Sequence, residues 1–433
     1  MKSRVSNGLI IFILVLITLV IGQRAYGNQP SLSVSEQAAL LHEQTLTLDA
    51  HIDWPIRQSF NPDFDPGIGH ETGAAGSGQW DLTRMEQGKL DAVFMSIFTP
   101  QRARTPDGYE AVNTLANQLI DLTQQMVNQH PDRAEIALTP DDAYRIEQAG
   151  KRAIFLGMEN GYPLGNDIDK VKFFYDRGIR YITLTHTLNN DLADSSTDEQ
   201  LEWGGLSPFG IAVVQEMNRL GIMIDISHVH DETFWDVIRL SQAPIIASHS
   251  SARALRDVPR NMDDDMLRAI QLNGGVVQLC LLDDFIKEMP QTPEREAALA
   301  ALEPDRQAWQ QGELSEAETA ELFAQYRAIN QQYPENKPTL ADAIDHLDHM
   351  VDVMGIEHVG IGSDFDGGGG LVNLEDVSQM PNITQELLTR GYTPEEINKL
   401  WGGNLLRVFR DVMSVAALAN ELSSQDFPDN QIF

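Results

Sequence analysis

Cysteine is almost absent from the 433-residue chain, which has only Cys280. A single cysteine cannot form an intramolecular disulfide, and it excludes a zinc cluster built from several cysteines. Any zinc would have to be held by histidines and carboxylates. Because Cys280 lies in the apolar run 276–282, we predict a buried core residue rather than a nucleophile.

Positive charge is also scarce. Lysine and arginine total 31 against 64 aspartates and glutamates, which gives a formal net charge of −33. Such a surface repels the phosphate backbone of nucleic acids, so nucleic acid is not an expected partner. Hydrophobic residues make up 42% of the chain, enough for a packed core. We interpret the acidic excess mainly as a solvating surface.

The N-terminus has the layout of a secretory signal peptide. A basic start precedes an apolar run at residues 9–21, and small residues flank a tyrosine at 25–27. We predict a signal peptide over residues 1–27 and an exported chain, periplasmic or secreted. The run is short for a membrane span, and an uncleaved N-terminal anchor is the alternative. No cysteine follows the run and residues 423–433 are polar, so no lipid anchor is expected.

Eight short apolar runs follow the leader and have the character of β-strands. They are nearly continuous rather than alternating, which is typical of strands buried on both faces. Amphipathic stretches such as 111–130, 208–220 and 263–272 lie between them. This alternation predicts an α/β fold with a parallel sheet, and eight units predict a closed (β/α)8 TIM-type barrel. An open doubly wound sheet is the alternative, although no G-x-G-x-x-G follows the first strand. The predicted strands are 45–51, 90–98, 153–158, 181–185, 223–227, 244–247, 276–282 and 359–362.

Two segments depart from this repeat. Residues 61–79 are rich in glycine, proline and aspartate and predict a long loop. Residues 283–338, between barrel strands 7 and 8, are rich in alanine, glutamate and glutamine, and they contain two predicted exposed helices at 293–302 and 315–332. A lid, a dimer contact and a solvated insertion are the candidate roles, and we favour the last two together.

The end of the chain predicts one more helix. Thr393-Pro394-Glu395-Glu396 has the pattern of a capping box, with proline at the first helical position, and the helix is expected to run towards Phe409. We predict a single barrel domain over residues 35–420 and a polar tail over residues 421–433.

Ionisable residues stand where the predicted strands end. Singly, each has an ordinary structural explanation, such as a hydrogen-bonded histidine or an aspartate in a turn. In a β/α barrel, however, the carboxyl ends of all strands open onto one face. Buried ionisable groups are costly unless they are paired or bound to metal, so their convergence predicts a metal centre. The residues concerned are His51, Asp53, Glu159, His186, His228, His249 and Asp364.

Histidine and carboxylate ligands without a thiolate suit zinc, with manganese or cobalt as substitutes. His51 and Asp53 are two residues apart, so both side chains point the same way on a strand. Five protein ligands are too many for one catalytic zinc, which typically keeps three. They suit two ions that share a bridging carboxylate.

The sequence resembles the membrane (renal) dipeptidase family. The matching segments follow in order from about residue 46 to 412, nearly the whole mature chain, and they are modest singly but specific together. They are 49–55 (DAHIDWP), 157–161 (GMENG), 184–189 (LTHTLN), 225–229 (DISHV), 248–252 (SHSSA), 260–264 (RNMDD), 360–367 (GIGSDFDG) and 402–408 (GGNLLRV).

The resemblance implies an amidohydrolase-like barrel with two zinc ions per chain and a dipeptide substrate. By motif position, His51 and Asp53 would hold one ion and His228 and His249 the other, with Glu159 bridging them.

The resemblance also implies the residues that act on the substrate. His186 matches a substrate-contacting histidine, Arg260 the residue that clamps the substrate carboxylate, and Asp364 the catalytic acid/base. In the expected mechanism, a zinc-bridging hydroxide attacks the peptide carbonyl and His186 helps to stabilise the tetrahedral charge. Asp364 then passes the proton to the leaving amine.

The chain departs from the family pattern at a few places. Ala50, Ile52 and Trp54 stand where glycine, asparagine and leucine are expected, and we expect Trp54 to narrow the pocket and alter side-chain preference. The cysteines of animal members are missing, so their mode of dimer linkage does not transfer. Homodimer formation by other contacts stays open.

Two other functions are weighed against this one. A related amidohydrolase could act on another small amide, a lactone, a β-lactam or a phosphotriester, but such relatives often begin with His-x-His and bridge with a modified lysine. Here the first motif is His51-x-Asp53 and the candidate bridge is Glu159. An exported solute-binding protein with a degenerate metal site is the non-catalytic alternative, and the complete ligand set with Asp364 argues against it.

Overall fold

The structure is a computed structural model, and it describes residues 32–425 apart from 75, 291, 311–313 and 335–336. The predicted signal peptide, 1–27, lies outside the described residues, as does the part of the predicted polar tail beyond residue 425. Within the described ranges, no helix has both the length and the apolar character needed to cross a membrane.

The predicted α/β barrel is confirmed. The strands are β1 (Leu48–Ile52), β2 (Ala92–Phe98), β3 (Ala134–Ile136), β4 (Arg152–Glu159), β5 (Ile179–Thr183), β6 (Met223–Asp225), β7 (Ile246–Ser250), β8 (Val276–Cys280) and β9 (Val359–Gly362). Eight of them form a parallel ring in the order β1-β2-β4-β5-β6-β7-β8-β9. The ring closes where Ile52 bridges Phe365 and the backbone N–H of Asp364 donates to the carbonyl of His51 at 3.1 Å.

The one described strand outside this ring, β3, pairs with β4. The sequence analysis missed it, because three residues with only one fully buried side chain carry too little apolar pattern to recognise.

Several helices begin at a residue whose side chain caps the first turn. The helix predicted at 208–220 has those bounds, with Ser207 as N-cap and Gly221 at its end in the left-handed conformation that glycine favours (φ 80°). The helix predicted at 111–130 begins earlier, at Pro106, because the Thr105 side chain caps it. The helices are α1 (Val34–Gln44), α2 (Trp54–Phe60), α3 (Leu82–Gln87), α4 (Pro106–Gln129), α5 (Pro140–Gln148), α6 (Asp169–Asp176), α7 (Pro208–Leu220), α8 (Asp231–Leu240), α9 (Asp264–Asn273), α10 (Asp283–Ile286), α11 (Pro293–Gln310), α12 (Glu316–Gln332), α13 (Leu340–Met354), α14 (Pro381–Arg390), α15 (Pro394–Asn398) and α16 (Asn404–Gln425).

The insertion between the seventh and eighth barrel strands contains a helical hairpin. Helices α11 and α12 pack with Leu302 and Leu322 buried, and the rings of Trp309 and Phe323 meet edge-on at 5.6 Å. Most of the other described side chains of the hairpin are exposed or half-buried, as expected of a solvated insertion. A role in dimer contact stays a prediction.

The last helix closes the end of the barrel at which the strands begin. The capping box predicted at Thr393 is present and starts α15. A π-helical segment, Lys399–Gly403, then leads into α16, which continues well past Phe409. The Phe409 ring lies 6.5 Å from Phe94 and 6.1 Å from Phe155, and the latter two stack at 4.7 Å. These three rings form an apolar plug, and we call the end of the barrel that they fill the closed end.

Candidate active site

The ionisable residues predicted from the sequence meet at the opposite, open end, around Glu159. One carboxylate oxygen of Glu159, Oε2, lies 3.3 Å from Nε2 of His51, which is itself 3.3 Å from Oδ2 of Asp53. The other oxygen, Oε1, lies 3.1 Å from Nε2 of His228 and 3.7 Å from Nε2 of His249. Glu159 therefore stands between two pairs of potential ligands, one on each carboxylate oxygen.

The donor atoms of this cluster fit a cation. Nε2 of His51 and Oδ1 of Asp53 are buried and lack hydrogen-bond partners within the described part of the chain. Nε2 of His228 and Nε2 of His249 are only 2.9 Å apart. Two imidazole nitrogens at that distance need a shared proton or a bound cation. The nitrogen and oxygen donors, all buried and without sulfur, suit zinc.

The carboxylates and His51 stabilise one another's charged forms. Burial alone would raise the pKa of Glu159, but the neighbouring His51 and a hydrogen bond from His228 hold that pKa well below its usual value. Burial opposes a charge on His51, yet Tyr181, Glu159 and Asp53 together raise its pKa well above 6.5. In the absence of a metal, a proton on His51 is thus the counter-charge that the carboxylates attract.

The two histidines on the other side of Glu159 are held neutral. Burial lowers the pKa of both His228 and His249 well below the usual value, and the positive Arg260 adds to the effect. Neutral imidazole is the form that binds metal, because one ring nitrogen then keeps its lone pair.

His186 is the most accessible histidine of the group, with 22% of its side chain exposed. Its Nε2 lies 3.7 Å from Oε1 of Glu159, and its ring packs edge-on against Phe98 at 4.6 Å. Burial still lowers its pKa. This position at the border of the cluster agrees with the substrate-contacting role that the sequence predicts.

Asp364 follows the last strand in a left-handed backbone conformation (φ 60°). Its carbonyl accepts three backbone N–H groups from the following glycines, 367–369. A side chain on Gly367 would place Cβ 2.2 Å from Oδ2 of Asp53 and 2.3 Å from Oδ1 of Asp364, so this glycine leaves room for both carboxylates. Burial and the nearby Asp53 raise the pKa of Asp364 well above its usual value. A carboxyl group with a raised pKa can carry and release a proton, as an acid/base must.

Cys280 lies beside this carboxyl group, with Sγ 3.8 Å from Oδ2 of Asp364. The side chain is fully buried, as predicted, and burial raises the pKa of the thiol. A neutral, buried thiol is a poor nucleophile.

Arg260 enters the site from the loop after β7 and is 5% exposed. Its Nη2 donates to the carbonyl of His249 at 3.1 Å and its Nη1 to Oγ of Ser250 at 3.4 Å. Nε is buried without a hydrogen-bond partner among the described residues. The guanidinium lies 5.1 Å from the ring of Phe285, in the short helix α10. A buried guanidinium with spare donors is suited to binding a carboxylate.

The sequence analysis missed several residues that support these groups. The hydroxyl of Ser96 donates to Oε2 of Glu159 at 3.0 Å, and the hydroxyl of Tyr181 lies 2.9 Å from Nδ1 of His51. The one signal available was a polar side chain inside an otherwise apolar strand. Trp54 is 1% exposed and packs against Trp80 at 5.2 Å, and its influence on the pocket stays a prediction.

Comparison with known proteins identifies the family of the chain. The model of the membrane dipeptidase family, peptidase family M19, matches residues 35–423. Dipeptidase tcpJ of Claviceps purpurea is 33% identical over 374 residues, which are 85% of this chain and 77% of that protein. Dipeptidase 3 of Mus musculus is 33% identical over 406 residues, 92% of this chain and 71% of that protein.

A solved structure shares the fold at the same level of identity. The crystal structure of the probable dipeptidase PvdM from Pseudomonas aeruginosa superposes with a TM-score of 0.75 at 33% identity, covering 88% of this chain and 99% of that one. The family match spans nearly all described residues, and both relatives cover more than two thirds of the chain. The resemblance found in the sequence is thereby confirmed, and the chain belongs to the membrane dipeptidase family, peptidase family M19, whose members are metallopeptidases that act as dipeptidases.

Proposed function

We propose that the chain is an exported, binuclear zinc dipeptidase. The observation that carries the proposal is the position of Glu159 between two pairs of ligands, with His51 and Asp53 at one carboxylate oxygen and His228 and His249 at the other. A carboxylate with a different ligand pair on each oxygen is the arrangement that bridges two ions. Membership of the family supports a dipeptide as the substrate.

Zinc bound at these ligands would activate water at neutral pH and polarise the scissile carbonyl. The chain's own residues then bind and orient the substrate and move protons. Arg260 fixes the free carboxylate with its unshared N–H donors, which restricts substrates to those that end just past the scissile bond. This restriction explains how a barrel with an open end can select dipeptides.

His186 and Asp364 complete the proposed mechanism. The Nε2 atom of His186 faces the cluster from its accessible edge, where it can donate a hydrogen bond to the substrate carbonyl oxygen as negative charge develops there. The raised pKa of Asp364 lets its carboxyl group take a proton from water and deliver it to the leaving amine.

The proposal is tested by hydrolysis of a panel of L,L- and L,D-dipeptides, with zinc content measured on the same sample. We expect chelator-sensitive cleavage and about two zinc ions per chain, as a two-metal site requires. The matched substrate control is the C-terminal amide of the best dipeptide, which Arg260 cannot clamp and which should be cleaved much more slowly. Two bound zinc ions without dipeptide cleavage would move the substrate to another amide, a lactone or a β-lactam, and no bound metal would contradict the proposal.

Export rests on the apolar run 9–21 and the small residues at 25–27. Fractionation of cells that express the full chain, followed by N-terminal sequencing, should find a mature protein that begins after Gly27 outside the cytoplasm. Recovery of the intact chain from the cytoplasm would contradict export, and recovery of the intact chain from membranes would indicate the uncleaved anchor.

A further inference from the structure

Asp225 is a buried carboxylate that the proposed mechanism does not use. It ends β6, is fully buried, and accepts four hydrogen bonds. Oδ1 accepts the backbone N–H groups of Ser227 (3.1 Å) and Ser248 (2.8 Å). Oδ2 accepts the hydroxyls of Thr183 (2.5 Å) and Ser248 (2.6 Å). Because donors surround both oxygens, Asp225 acts purely as an acceptor.

The hydroxyl of Ser248 connects this carboxylate to a predicted metal ligand. Its Oγ atom lies 2.9 Å from Nδ1 of His249 as well as 2.6 Å from Oδ2 of Asp225. A serine hydroxyl has one proton to donate, and Asp225 can only accept it. The Oγ atom must therefore accept a hydrogen bond from His249, which places the imidazole proton on Nδ1. Nε2, the atom that faces Glu159, keeps its lone pair.

His51, on the other side of Glu159, is supported differently. Its Nδ1 atom lies 2.9 Å from the hydroxyl of Tyr181, which also lies 3.3 Å from the carbonyl of Ala50. The phenol can donate its one proton either to this carbonyl or to Nδ1 of His51, so it holds the ring of His51 without fixing the imidazole proton. At His249, by contrast, Asp225 takes the proton of the Ser248 hydroxyl, so this hydroxyl can only accept a hydrogen bond from the imidazole.

We propose that Asp225 and Ser248 form a relay that locks His249 in the tautomer with its proton on Nδ1, and that this relay sets the affinity of the ion held by His228 and His249. The inference rests on the proposed binuclear site. Asp225 and Ser248 act as positioning residues, because they touch neither the substrate nor the ions. Partners of this kind orient metal-binding histidines in general, and their loss typically weakens metal binding 10- to 100-fold.

The test is the isosteric variant Asp225→Asn. Its oxygen can keep the two backbone N–H groups, so its amide nitrogen takes the place of Oδ2 and donates to Ser248. The serine proton then turns towards Nδ1 of His249 and forces the imidazole proton onto Nε2. We expect one of the two zinc affinities, measured by competition with a chromophoric chelator on the metal-free protein, to fall about 10- to 100-fold while the other stays unchanged.

Asp49→Asn is the matched control. Asp49 is equally buried and accepts two backbone N–H groups, from His51 at 3.0 Å and Ser363 at 2.9 Å. Among the residues that the structure describes, no imidazole hydrogen-bonds to its carboxylate. Both zinc affinities of this variant should stay within about twofold of the wild type, since no imidazole tautomer changes. Nitrogen NMR of the metal-free protein labelled at histidine adds a readout that a merely structural role would not move. The proton of His249 should lie on Nδ1 in the wild type and on Nε2 in Asp225→Asn.

The outcomes separate the relay from the proposed function. A wild-type protein that binds fewer than two zinc ions contradicts the binuclear site itself. A wild type with two ions, together with an Asp225→Asn variant that keeps both affinities and the wild-type tautomer, overturns the relay. If Asp225→Asn does not fold, Ser248→Ala takes its place. This variant leaves Asp225 three donors and removes the hydroxyl that contacts Asp225, His249 and, at 3.5 Å, Oγ of Ser227. Unchanged zinc affinities in it overturn the relay equally.

Discussion

The two ends of the barrel are built from the same strands but are filled by different kinds of side chain. At the closed end, the rings of Phe94, Phe155 and Phe409 fill the space between strands and last helix. At the open end, buried polar atoms of His51, Asp53, His228 and Arg260 lack hydrogen-bond partners among the described residues. Burying such atoms without a partner costs free energy of folding.

Left-handed backbone angles are more frequent at the open end. Asn160 (φ 74°), His228 (φ 70°), Asp364 (φ 60°) and Asp366 (φ 65°) have them there, whereas Lys89 (φ 51°) has one just before β2 begins. Each such residue costs of order 1–3 kcal/mol and persists only where the surrounding structure enforces it. We therefore expect substitutions at the open end to change activity and substitutions at the closed end to change stability. The four variants below test this separation.

The largest expected effect is that of Asp364→Asn at the open end. Loss of the proposed acid/base should lower kcat about 10²- to 10⁴-fold while zinc content stays near two per chain. The measurement is steady-state hydrolysis together with metal analysis. Asp366→Asn is the control, because Asp366 is also buried but pairs with Arg57 at 3.4 Å, and it should retain more than a tenth of the activity. An Asp364→Asn enzyme with most of its activity would show that another group moves the proton.

At the closed end, Phe409→Ala should lower stability and leave activity unchanged. Removing a buried ring from the plug should cost about 3–5 kcal/mol of unfolding free energy, measured by urea denaturation. The folded fraction should keep the wild-type kcat and KM. Leu418, in the same helix, is 59% exposed, and Leu418→Ala should change stability by less than about 0.5 kcal/mol. A large change in kcat for Phe409→Ala would break the proposed separation between the two ends.

The third prediction concerns acid stability near the closed end. Burial lowers the pKa of His42 from 6.5 to about 4, and its ring contacts Thr384 at 2.7 Å and the carbonyl of Gly88 at 2.9 Å. Between those pH values the unfolded chain binds a proton that the folded chain does not. The His42 contribution is therefore complete above pH 6.5 and falls by roughly 3 kcal/mol as the pH drops to about 4.

Urea denaturation of the metal-free wild type and of His42→Gln, from pH 7 to pH 4, isolates this contribution. Other titrating groups are common to both proteins, so their difference reports His42. The variant should be less stable at pH 7 and should lose less stability on acidification. Parallel pH profiles for the two proteins would contradict the assignment.

The smallest expected effect is that of Phe285→Leu, beneath the guanidinium of Arg260. Loss of a cation–π contact worth about 0.5–1.5 kcal/mol should raise KM about three- to tenfold with kcat nearly unchanged. Preference for a dipeptide over its C-terminal amide should fall in parallel. Phe323→Leu, at a 41% exposed position in the hairpin, should leave KM unchanged. A loss of kcat without a change in KM would place Phe285 outside the carboxylate clamp.

The sequence predicted the ring of strands and the residues at their ends because both depend on local pattern. An apolar run ending in histidine or a carboxylate identifies the strand, its direction and the residue that faces the open end. The inner supports could not be found in this way. The contacts of Tyr181 with His51 and of Ser248 with Asp225 join different strands, and they depend on the stagger of the barrel, which no local pattern contains.

The closed end was predicted only in part for a similar reason. The capping box at Thr393 shows where α15 begins, but not that Phe409, in the helix that follows, reaches the interior of the barrel. The π-helical segment Lys399–Gly403 shifts the helix face, and a pattern based on regular helical spacing cannot anticipate that shift.

The insertion that bears the helical hairpin has a practical consequence for protein engineering. Asp283 near its start lies 3.4 Å from Lys337 at its end, and Lys287 lies 2.6 Å from Asp342. Because the two ends of the insertion lie close together, its length can change without moving the barrel strands on either side. This makes the site a natural splice point, where a reporter or affinity module could replace the hairpin while the barrel keeps its register.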